Sequence, residues 1–337
     1  MEGGRRGAPT LSPFLWTRGA AMSGTLRRVR AHLPALPTLT LILVALGWAL
    51  GDLIGERTLP TLLLAYAPPL VWVLLCLPAL AWAAWRRRGR GVALAALLLA
   101  AWGAGILHWR PQQSGTLRVV TFNVLGGART SPAELGSALR ALNADVILLQ
   151  EARFHDPAFE AQLRAALPGY RAVRAQEVMT LTRLPLLGTD TRPLPGLNRA
   201  ALVTRLRWAG RPLTVVNAHP GATQVSAALR DPARLRRSRD LRAAQLDVLT
   251  ALARATPGPL ILGGDLNTPP RGPAYRALRQ AVGPDAFQRA GRGPGWTYPG
   301  LRLRIDHQFS RDLRPSRARV LPWTLSDHRP LLAEYRP

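Results

Sequence analysis

The stretch Leu260-Ile261-Leu262-Gly263-Gly264-Asp265-Leu266-Asn267-Thr268-Pro269-Pro270 is the clearest indication of the fold class of this chain. Its apolar run ends in paired glycines, a carboxylate and a carboxamide follow two positions apart, and two prolines end the pattern. That order predicts a buried strand with polar side chains at its end. Because side chains alternate along an extended chain, Asp265 and Asn267 are expected on the same side, at the carboxyl end of the strand, where α/β sheets usually hold their chemistry.

Other predicted strands also end in polar residues. A β-branched strand from Leu117 leads to Asn123, and a helix with a Ser131–Glu134 capping box joins it to a second strand that ends in Gln150-Glu151. This strand, helix, strand order places both strand ends at one rim of a sheet. The other polar residues at or beside predicted strand ends are His219, Asp265, Asn267, Asp306, Asp327 and His328.

The first third of the chain is strongly apolar. Three runs lie before residue 111, over residues 33–51, 59–85 and 91–109. Each is long enough to cross a bilayer core of about 30 Å as a helix, so three transmembrane helices are predicted within residues 33–110. Pro68-Pro69 interrupts the second run and either kinks it or leaves a shorter span from Leu70 to Trp85. The alternative, a bundle of buried helices in a soluble protein, fits poorly with three such long runs in succession.

Arginines set the predicted orientation of these helices. They are frequent in residues 1–32 and in Arg86-Arg87-Arg88-Gly89-Arg90, whereas the loop between the first two runs has only Arg57. Because positive residues near membrane spans stay in the cytoplasm, residues 1–32 are expected to form a basic cytoplasmic segment. Three crossings then place a catalytic domain of residues 117–337 on the extracytoplasmic side of the cell membrane, after a linker of residues 111–116.

The charge of the chain indicates anionic partners. All 45 basic residues are arginine and the net charge is +26. After residue 110 there are 33 arginines and 16 acidic residues, so the predicted outer domain is basic in its own right, at +17. Such a surface favours lipid head groups or nucleic acid without distinguishing them. The lack of lysine excludes a P-loop lysine and Schiff-base chemistry, and the single cysteine, Cys76, excludes a disulfide or a thiolate metal site in that domain.

The strand-end side chains favour metal-assisted chemistry over covalent catalysis. Neither a G-x-S-x-G nucleophile elbow nor an HExxH zinc motif is present. Carboxylates and amides suit hard ions, so Mg²⁺ or Mn²⁺ is the expected cofactor. Glu151 and Asp327 are the candidate metal ligands, with Asn123 nearby. Such a set fits phosphoester hydrolysis, in which a metal ion neutralises a phosphate oxygen and stabilises the leaving oxygen.

The candidate catalytic residues centre on Asp265. Its carboxylate can orient an attacking water or accept its proton, and the amide of Asn267 can donate to a phosphate oxygen. His328 can act as acid, base or charged donor, while Asp306 can hold it in one tautomer and favour its protonated form. His219 is the second candidate donor.

Six short motifs occur in order within residues 117–337: Thr121-Phe122-Asn123, Gln150-Glu151, Asn217-Ala218-His219, Gly264-Asp265-Leu266-Asn267, Arg304-Ile305-Asp306-His307 and Ser326-Asp327-His328. In this order they resemble the endonuclease/exonuclease/phosphatase superfamily. The resemblance implies a four-layer α/β sandwich, with two face-to-face sheets and helices outside, and a Mg²⁺-dependent phosphoesterase. It assigns Glu151 to the metal, Asp265 and Asn267 to the nucleophile and the phosphate, and an Asp306–His328 pair to catalysis.

The superfamily resemblance leaves the substrate open. Leu184 stands where the resemblance would place an acidic partner for His219. A domain tethered a few residues from a membrane span is held close to lipid head groups, so the expected partners are the bilayer and a lipid or lipid-linked (pyro)phosphate at the outer face. An extracytoplasmic nuclease is the alternative enzyme. A non-catalytic envelope binding protein is the third hypothesis, which the complete set of matched polar residues disfavours.

Overall fold

Residues 35–103 form four α-helices that pack side by side. The computed structural model describes residues 35–196, 198–228 and 230–337, so the predicted cytoplasmic segment 1–32 lies outside it. The rings of Trp48 and Trp72 lie 5.8 Å apart at the centre of this bundle, against Ala96 and Ala100. The four helices are α1 (Ala35–Leu53), α2 (Leu59–Tyr66), α3 (Pro69–Arg86) and α4 (Arg90–Gly103).

Two of these helices reach the length needed to cross a membrane, within the described residues. They are α1, with 19 residues, and α3, with 18. The prediction of three such helices is wrong, because α4 has 14 residues. At 1.5 Å per residue it is about 21 Å long, short of a bilayer core. The second apolar run is divided at Pro68-Pro69, as one of the two sequence interpretations expected, and α2 is a separate short helix.

Residues 117–336 form two mixed β-sheets, and the predicted α/β sandwich of two packed sheets flanked by helices is confirmed. The first sheet has the order β10-β11-β1-β2-β4-β3 and the second has the order β5-β6-β7-β8-β9. The strands are β1 (Leu117–Asn123), β2 (Val146–Gln150), β3 (Arg171–Ala175), β4 (Val178–Thr182), β5 (Leu186–Pro193), β6 (Ala200–Trp208), β7 (Arg211–Asn217), β8 (Leu260–Asp265), β9 (Asp306–Arg311), β10 (Arg314–Val320) and β11 (Leu331–Arg336).

Three apolar cores hold the layers together. The core between the sheets packs Val119 and Leu148 of the first sheet against Val215 and Ile261 of the second. A second core joins the outer face of the first sheet to two helices, and a third joins the outer face of the second sheet to two more. These helices are α5 (Pro132–Ala141) and α6 (Pro157–Ala166) on the first sheet, and α7 (Pro232–Ala255) and α8 (Gly272–Val282) on the second; a short helix α9 (Ala286–Ala290) follows.

The two parallel strand pairs position the candidate site. β1 runs parallel to β2 in the first sheet, and β7 runs parallel to β8 in the second. The carboxyl ends of these four strands therefore carry the predicted motifs to the same end of the sandwich. Asn217, fully buried at the end of β7, links the sheets because its amide donates to the carbonyl oxygens of Leu149 and Met179.

The last strand of the domain pairs with the first. β11 lies between β1 and β10, and its register places Tyr335 opposite Leu117. His328 comes three residues before this strand and Asn123 ends β1, so the pairing brings both motifs to the same rim. The sandwich is closed by residues from opposite ends of the domain.

Candidate active site

Asp265 lies at the centre of the candidate site, at the end of β8. The strand register places it opposite Asp306, the first residue of β9. Gly264 precedes it with a φ of 145°, and a Cβ on this glycine would lie 1.9 Å from the carbonyl oxygen of Ala218. A residue with a side chain does not fit there, so the paired glycines of the opening motif permit the close approach of β7 and β8 that brings Asp265 into the site.

Asn123 joins Asp265 to Glu151. Its Nδ2 donates to Glu151 Oε1 at 2.9 Å and to Asp265 Oδ2 at 3.0 Å, while its Oδ1 accepts from the backbone N–H of Leu125 at 3.0 Å. Both hydrogens of the amide group are thus used to hold carboxylates. Glu151 has a φ of 50°, and its side chain is 37% exposed. A strained backbone at a strand end that presents a partly open carboxylate is typical of a functional position.

His328 and Asp306 form a buried pair beside Asp265. The Nδ1 atom of His328 lies 2.9 Å from Asp306 Oδ2, and its Nε2 lies 3.6 Å from Asp265 Oδ2. Burial lowers the pKa of His328, but the charges of Asp306 and Asp265 and the hydrogen bond to Asp306 outweigh burial and raise the pKa from 6.5 to about 10. The imidazole is therefore a cation, and its Nδ1 donates to Asp306 Oδ2. Tyr298 packs on its ring, with centroids 5.1 Å apart.

His219 has an acidic partner that the sequence interpretation missed. Glu177 Oε1 lies 3.4 Å from His219 Nδ1, and Arg199 NH1 donates both to that carboxylate, at 2.8 Å, and to the His219 carbonyl oxygen, at 2.6 Å. The other ring nitrogen of His219 lies 3.5 Å from Asp265 Oδ2. Glu177 lies in the two-residue turn between β3 and β4, and no local pattern marks it. Leu184, the position suggested by the resemblance, packs against the core between the sheets instead.

Asn267 lies beyond the strand, so the predicted alternation with Asp265 does not apply. β8 ends at Asp265, and Asn267 has a left-handed φ of 48°. Its backbone N–H donates to Asp265 Oδ1 at 3.0 Å, and its side-chain Nδ2 donates to the carbonyl oxygen of Pro220 at 3.0 Å. The two residues are adjacent because this short loop folds back on the carboxylate. The second hydrogen of the amide group remains available for a phosphate oxygen.

A buried ionic group supports the loop after Asp265 from the opposite side. The Nε2 of His307 donates to the carbonyl oxygen of Thr268 at 2.7 Å, and its Nδ1 lies 3.0 Å from Asp285 Oδ2. Arg304 NH1 bonds the same carboxylate at 2.5 Å. Burial would raise the pKa of Asp285, but the charge of Arg304 and the bond to His307 outweigh it and hold the pKa well below its usual range. Asp285 and His307 therefore serve the structure of the site.

The oxygen-rich side chains fit a hard divalent cation. Asp265 and Asp306 bring carboxylate oxygens within 4.8 Å of one another beside the His328 ring, and Asp306 Oδ1 is buried without a hydrogen-bond partner in the described chain. Glu151 adds a partly open carboxylate held by Asn123. Carboxylate and amide oxygens are the ligands that Mg²⁺ and Mn²⁺ prefer, so the donor set fits such an ion.

Asp327 lies at the edge of this group. It is half-buried, and its Oδ1 accepts from the hydroxyl of Ser326 at 3.2 Å. It does not belong to the cluster of Asp265, Asp306 and His328. The assignment of Glu151, Asp327 and Asn123 to the metal stays a prediction.

Comparison with known proteins supports the same architecture. A family model described as "Endonuclease/Exonuclease/phosphatase family" matches residues 120–328, and none of the curated proteins matches this sequence. Among solved structures, the chain is similar to D. rerio TDP2 complexed with a single-strand DNA product, at 18% identity and a TM-score of 0.53, over 66% of this chain and 99% of that chain.

Two bacterial structures are similar to the same extent. An endonuclease/exonuclease/phosphatase from Beutenbergia cavernae matches at 20% identity and a TM-score of 0.51, over 66% of this chain and 72% of that chain. A mannosyl-6-phosphatase from Bacteroides thetaiotaomicron matches at 15% identity and a TM-score of 0.51, over 65% and 99%. At these identities the similarity establishes the fold.

Proposed function

Because the chain belongs to the endonuclease/exonuclease/phosphatase family, we propose that it is a membrane-anchored, metal-dependent phosphoesterase acting on a lipid or lipid-linked phosphate at the outer membrane face. One observation carries the catalytic part of this proposal. Asp265 Oδ2 lies 3.0 Å from the Asn123 amide, 3.5 Å from His219 Nε2 and 3.6 Å from His328 Nε2. A carboxylate surrounded by an amide and two imidazoles can orient a water molecule and take its proton.

The other side chains act on the phosphate. His328 stays protonated because Asp306 and Asp265 stabilise its charge, so it donates to a phosphate oxygen and neutralises charge that develops there. The Asn267 amide is the neutral donor beside it. His219, whose Nδ1 lies 3.4 Å from Glu177 Oε1, is the second imidazole that can donate to the phosphate. In-line attack by water then needs little movement of the protein, since these groups are already fixed.

A divalent ion would be held by Glu151, with Asn123 and Asp327 nearby. When bound, it supplies charge that neutralises the phosphate and stabilises the leaving oxygen. Glu151 is suited to this role because its carboxylate is fixed by Asn123 on one oxygen and still partly open.

The apolar helices support the membrane part of the proposal. Large apolar side chains on α1 and α3 face outward, with Leu39 61% exposed and Leu74 58% exposed. Two helices whose outer faces expose several leucines are costly in water and favourable in lipid. A domain attached to such helices acts at high effective concentration on substrates in the same bilayer.

The packing of the domain supports its extracytoplasmic placement. The segment of residues 52–66, which joins α1 to α3 and contains α2, hydrogen-bonds to the catalytic domain. The two must therefore share one side of any membrane that α1 and α3 cross. The loop between these helices carries only Arg57, whereas Arg86, Arg87, Arg88 and Arg90 follow α3. Positive residues favour the cytoplasm at the α3 end and so the outer side for the domain. α4, although shorter than a full span, packs beside α1 and α3 and leads the chain back to the domain side.

The nuclease alternative has one observation in its favour, which is the net charge of +17 after residue 110. A basic surface binds a polyanion as well as an anionic membrane. The substrate test must therefore contain both.

The proposal is tested with the full chain in lipid nanodiscs. Turnover is measured with Mg²⁺, and with Mg²⁺ removed by EDTA, on lipid phosphates, lipid pyrophosphates, phosphodiester lipids and plasmid DNA. We expect Mg²⁺-dependent hydrolysis of one lipid class, which Asp265→Asn lowers by about 10²- to 10⁴-fold. Asp247→Asn, at an exposed position on α7, is the matched control and should keep wild-type turnover.

Three outcomes separate the hypotheses. Hydrolysis of DNA alone would replace the lipid assignment with a nuclease. No hydrolysis of any substrate, with metal binding shown by calorimetry, would favour the binding-protein hypothesis. Equal activity of Asp265→Asn and wild type would refute the assigned centre.

A further inference from the structure

The segment of residues 52–66 packs directly behind the candidate active site. Leu62 is fully buried against Leu235 of α7 and against Leu303 and Ile305. Ile305 directly precedes Asp306, the partner of His328. This apolar contact places the end of α2 against the loops that carry the site.

Two carboxylates of the segment bind the domain at its other end. Asp52 Oδ1 accepts from the backbone N–H of Gly272 at 3.0 Å and from Arg276 NH1 at 2.9 Å. Glu56 Oε1 lies 3.3 Å from Arg242 NH2. The segment is therefore joined to the start of α8 and to the middle of α7, on both sides of the loop that follows Asp265.

Arg242 connects the segment to that loop. Its side chain is 1% exposed. Its NH1 donates to the Asn267 carbonyl oxygen at 3.1 Å and to Thr268 Oγ1 at 2.6 Å, and its Nε donates to Thr223 Oγ1 at 2.8 Å. A guanidinium buried this deeply needs a paired charge, and Glu56 supplies it.

Tyr66 reaches the same carbonyl group. Its hydroxyl donates to the Asn267 carbonyl oxygen at 2.7 Å, beside Thr223 Oγ1 at 3.5 Å. Burial raises the pKa of Tyr66 to about 12, so the phenol keeps its proton and remains a donor. Asn267 is left-handed, a conformation that persists only where the surroundings fix it. Its N–H is fixed by Asp265, and its carbonyl oxygen is fixed by Arg242 and Tyr66.

We propose that Tyr66 and Glu56 are positioning residues of the active site: Tyr66 directly and Glu56 through Arg242 fix the Asn267 peptide, and through it the Asn267 amide and the Asp265 carboxylate. The segment between the two apolar helices is thus part of the catalytic unit, and turnover depends on it. This inference rests on the proposed hydrolase function. It goes beyond that function because neither residue belongs to the candidate site described above and both lie outside the region that matches the family model.

The test uses the full chain in nanodiscs and the variant Tyr66→Phe, which removes one hydroxyl and keeps the ring. The matched control is Tyr170→Phe, because Tyr170 also donates to a carbonyl oxygen, that of Ala144 at 2.6 Å, but outside the candidate site. We expect Tyr66→Phe to lower kcat about tenfold with KM little changed, as for loss of one positioning hydrogen bond. Both variants should lose similar thermal stability, and the control should keep wild-type kcat.

Glu56→Gln is the second variant, since the amide keeps the size of the side chain and removes the charge opposite Arg242. It should also lower kcat, and Glu56→Asp should recover part of the loss. The cycle of Tyr66→Phe with Asn267→Ala should be non-additive, because the hydroxyl acts through the residue that has been truncated.

Hydrogen exchange gives a readout that needs no turnover. Residues 264–272 should exchange faster in Tyr66→Phe than in wild type or Tyr170→Phe, because their loop has lost one of its fixed points. If wild type turns over and Tyr66→Phe keeps its kcat and exchange pattern, the positioning role is wrong while the proposed function stands. If wild type hydrolyses nothing, the proposed function fails, and exchange alone decides the positioning contact.

Discussion

Replacing Gly264 by alanine tests whether the close approach of β7 and β8 determines where Asp265 lies. The new Cβ would be 1.9 Å from the Ala218 carbonyl oxygen. Carbon and oxygen atoms of neighbouring strands approach to about 3.3 Å. β7 and β8 must therefore separate by roughly 1 Å or more at this point. The Ala218 N–H to Gly263 carbonyl hydrogen bond, now 3.0 Å, would lengthen with them.

The expected cost follows from these contacts. A side chain at a φ of 145° adds strain of ~1–3 kcal/mol, and the weakened hydrogen bond adds ~1 kcal/mol. The free energy of unfolding should therefore fall by ~2–4 kcal/mol. Moving Asp265 by about 1 Å should reduce turnover by ~100-fold, because reacting groups tolerate little misplacement.

The assay combines thermal unfolding of the full chain with turnover on the substrate that the panel identifies. Gly258→Ala is the control, since Gly258 also has a positive φ, of 70°, but a Cβ there meets no atom within 4 Å. It should lose ~1 kcal/mol from backbone strain and keep wild-type turnover. If Gly264→Ala behaves like Gly258→Ala in both measurements, the steric account of the Gly-Gly-Asp motif is refuted.

Two further substitutions test the groups around the site. Asp285→Asn should destabilise the protein by ~3–5 kcal/mol at pH 7, because it leaves Arg304 buried without its charged partner. Since the folded pKa of Asp285 is below its unfolded value, the loss of stability measured by thermal melts should become smaller below about pH 4. A loss that stays constant down to about pH 3 would contradict this account. Glu177→Gln should lower kcat about tenfold, because it removes the charge that lies beside His219. Glu160→Gln is the control, since the Glu160 carboxylate pairs with surface arginines, and it should leave steady-state kinetics unchanged. An equal effect of both substitutions would show that Glu177 does not belong to the site.

Local patterns were enough to predict most of the elements that carry the site. The N-cap predicted at Ser131 forms, with its hydroxyl accepting from the Glu134 N–H at 3.2 Å, whereas the Glu134 carboxylate accepts from the Thr130 hydroxyl. The strands leading to Asn123, Glu151 and Asp265 end where apolar runs give way to polar residues. Each of these features depends on residues that are close together in the sequence, so it could be predicted without knowing any long-range contact.

Features that depend on distant contacts were missed. β10 (Arg314–Val320) has three arginines and a proline in seven residues, a composition that does not predict a strand. It forms a strand because it pairs with β11 at the edge of the first sheet, where proline and charged residues are tolerated. Glu177 becomes a partner of His219 only after β3 and β4 have paired beside β2. Tyr66 contacts Asn267 because α2 packs on the catalytic domain, and the hydropathy of the sequence does not predict that packing. The number of membrane-spanning helices was predicted wrongly for a related reason, since the apolar run of residues 91–109 does not show that α4 ends at Gly103.

The pairing of β11 with β1 has a consequence for biosynthesis. Tyr335 must pair with Leu117 before the first sheet is complete, so a chain whose β11 has not yet emerged from a ribosome or a translocation channel cannot complete the domain. His328 lies three residues before β11 and reaches Asp306 only when that strand is in place. Pairing between the two ends of a domain is also among the slowest folding events. The candidate site is therefore absent until β11 has been made, and it forms after the apolar helices.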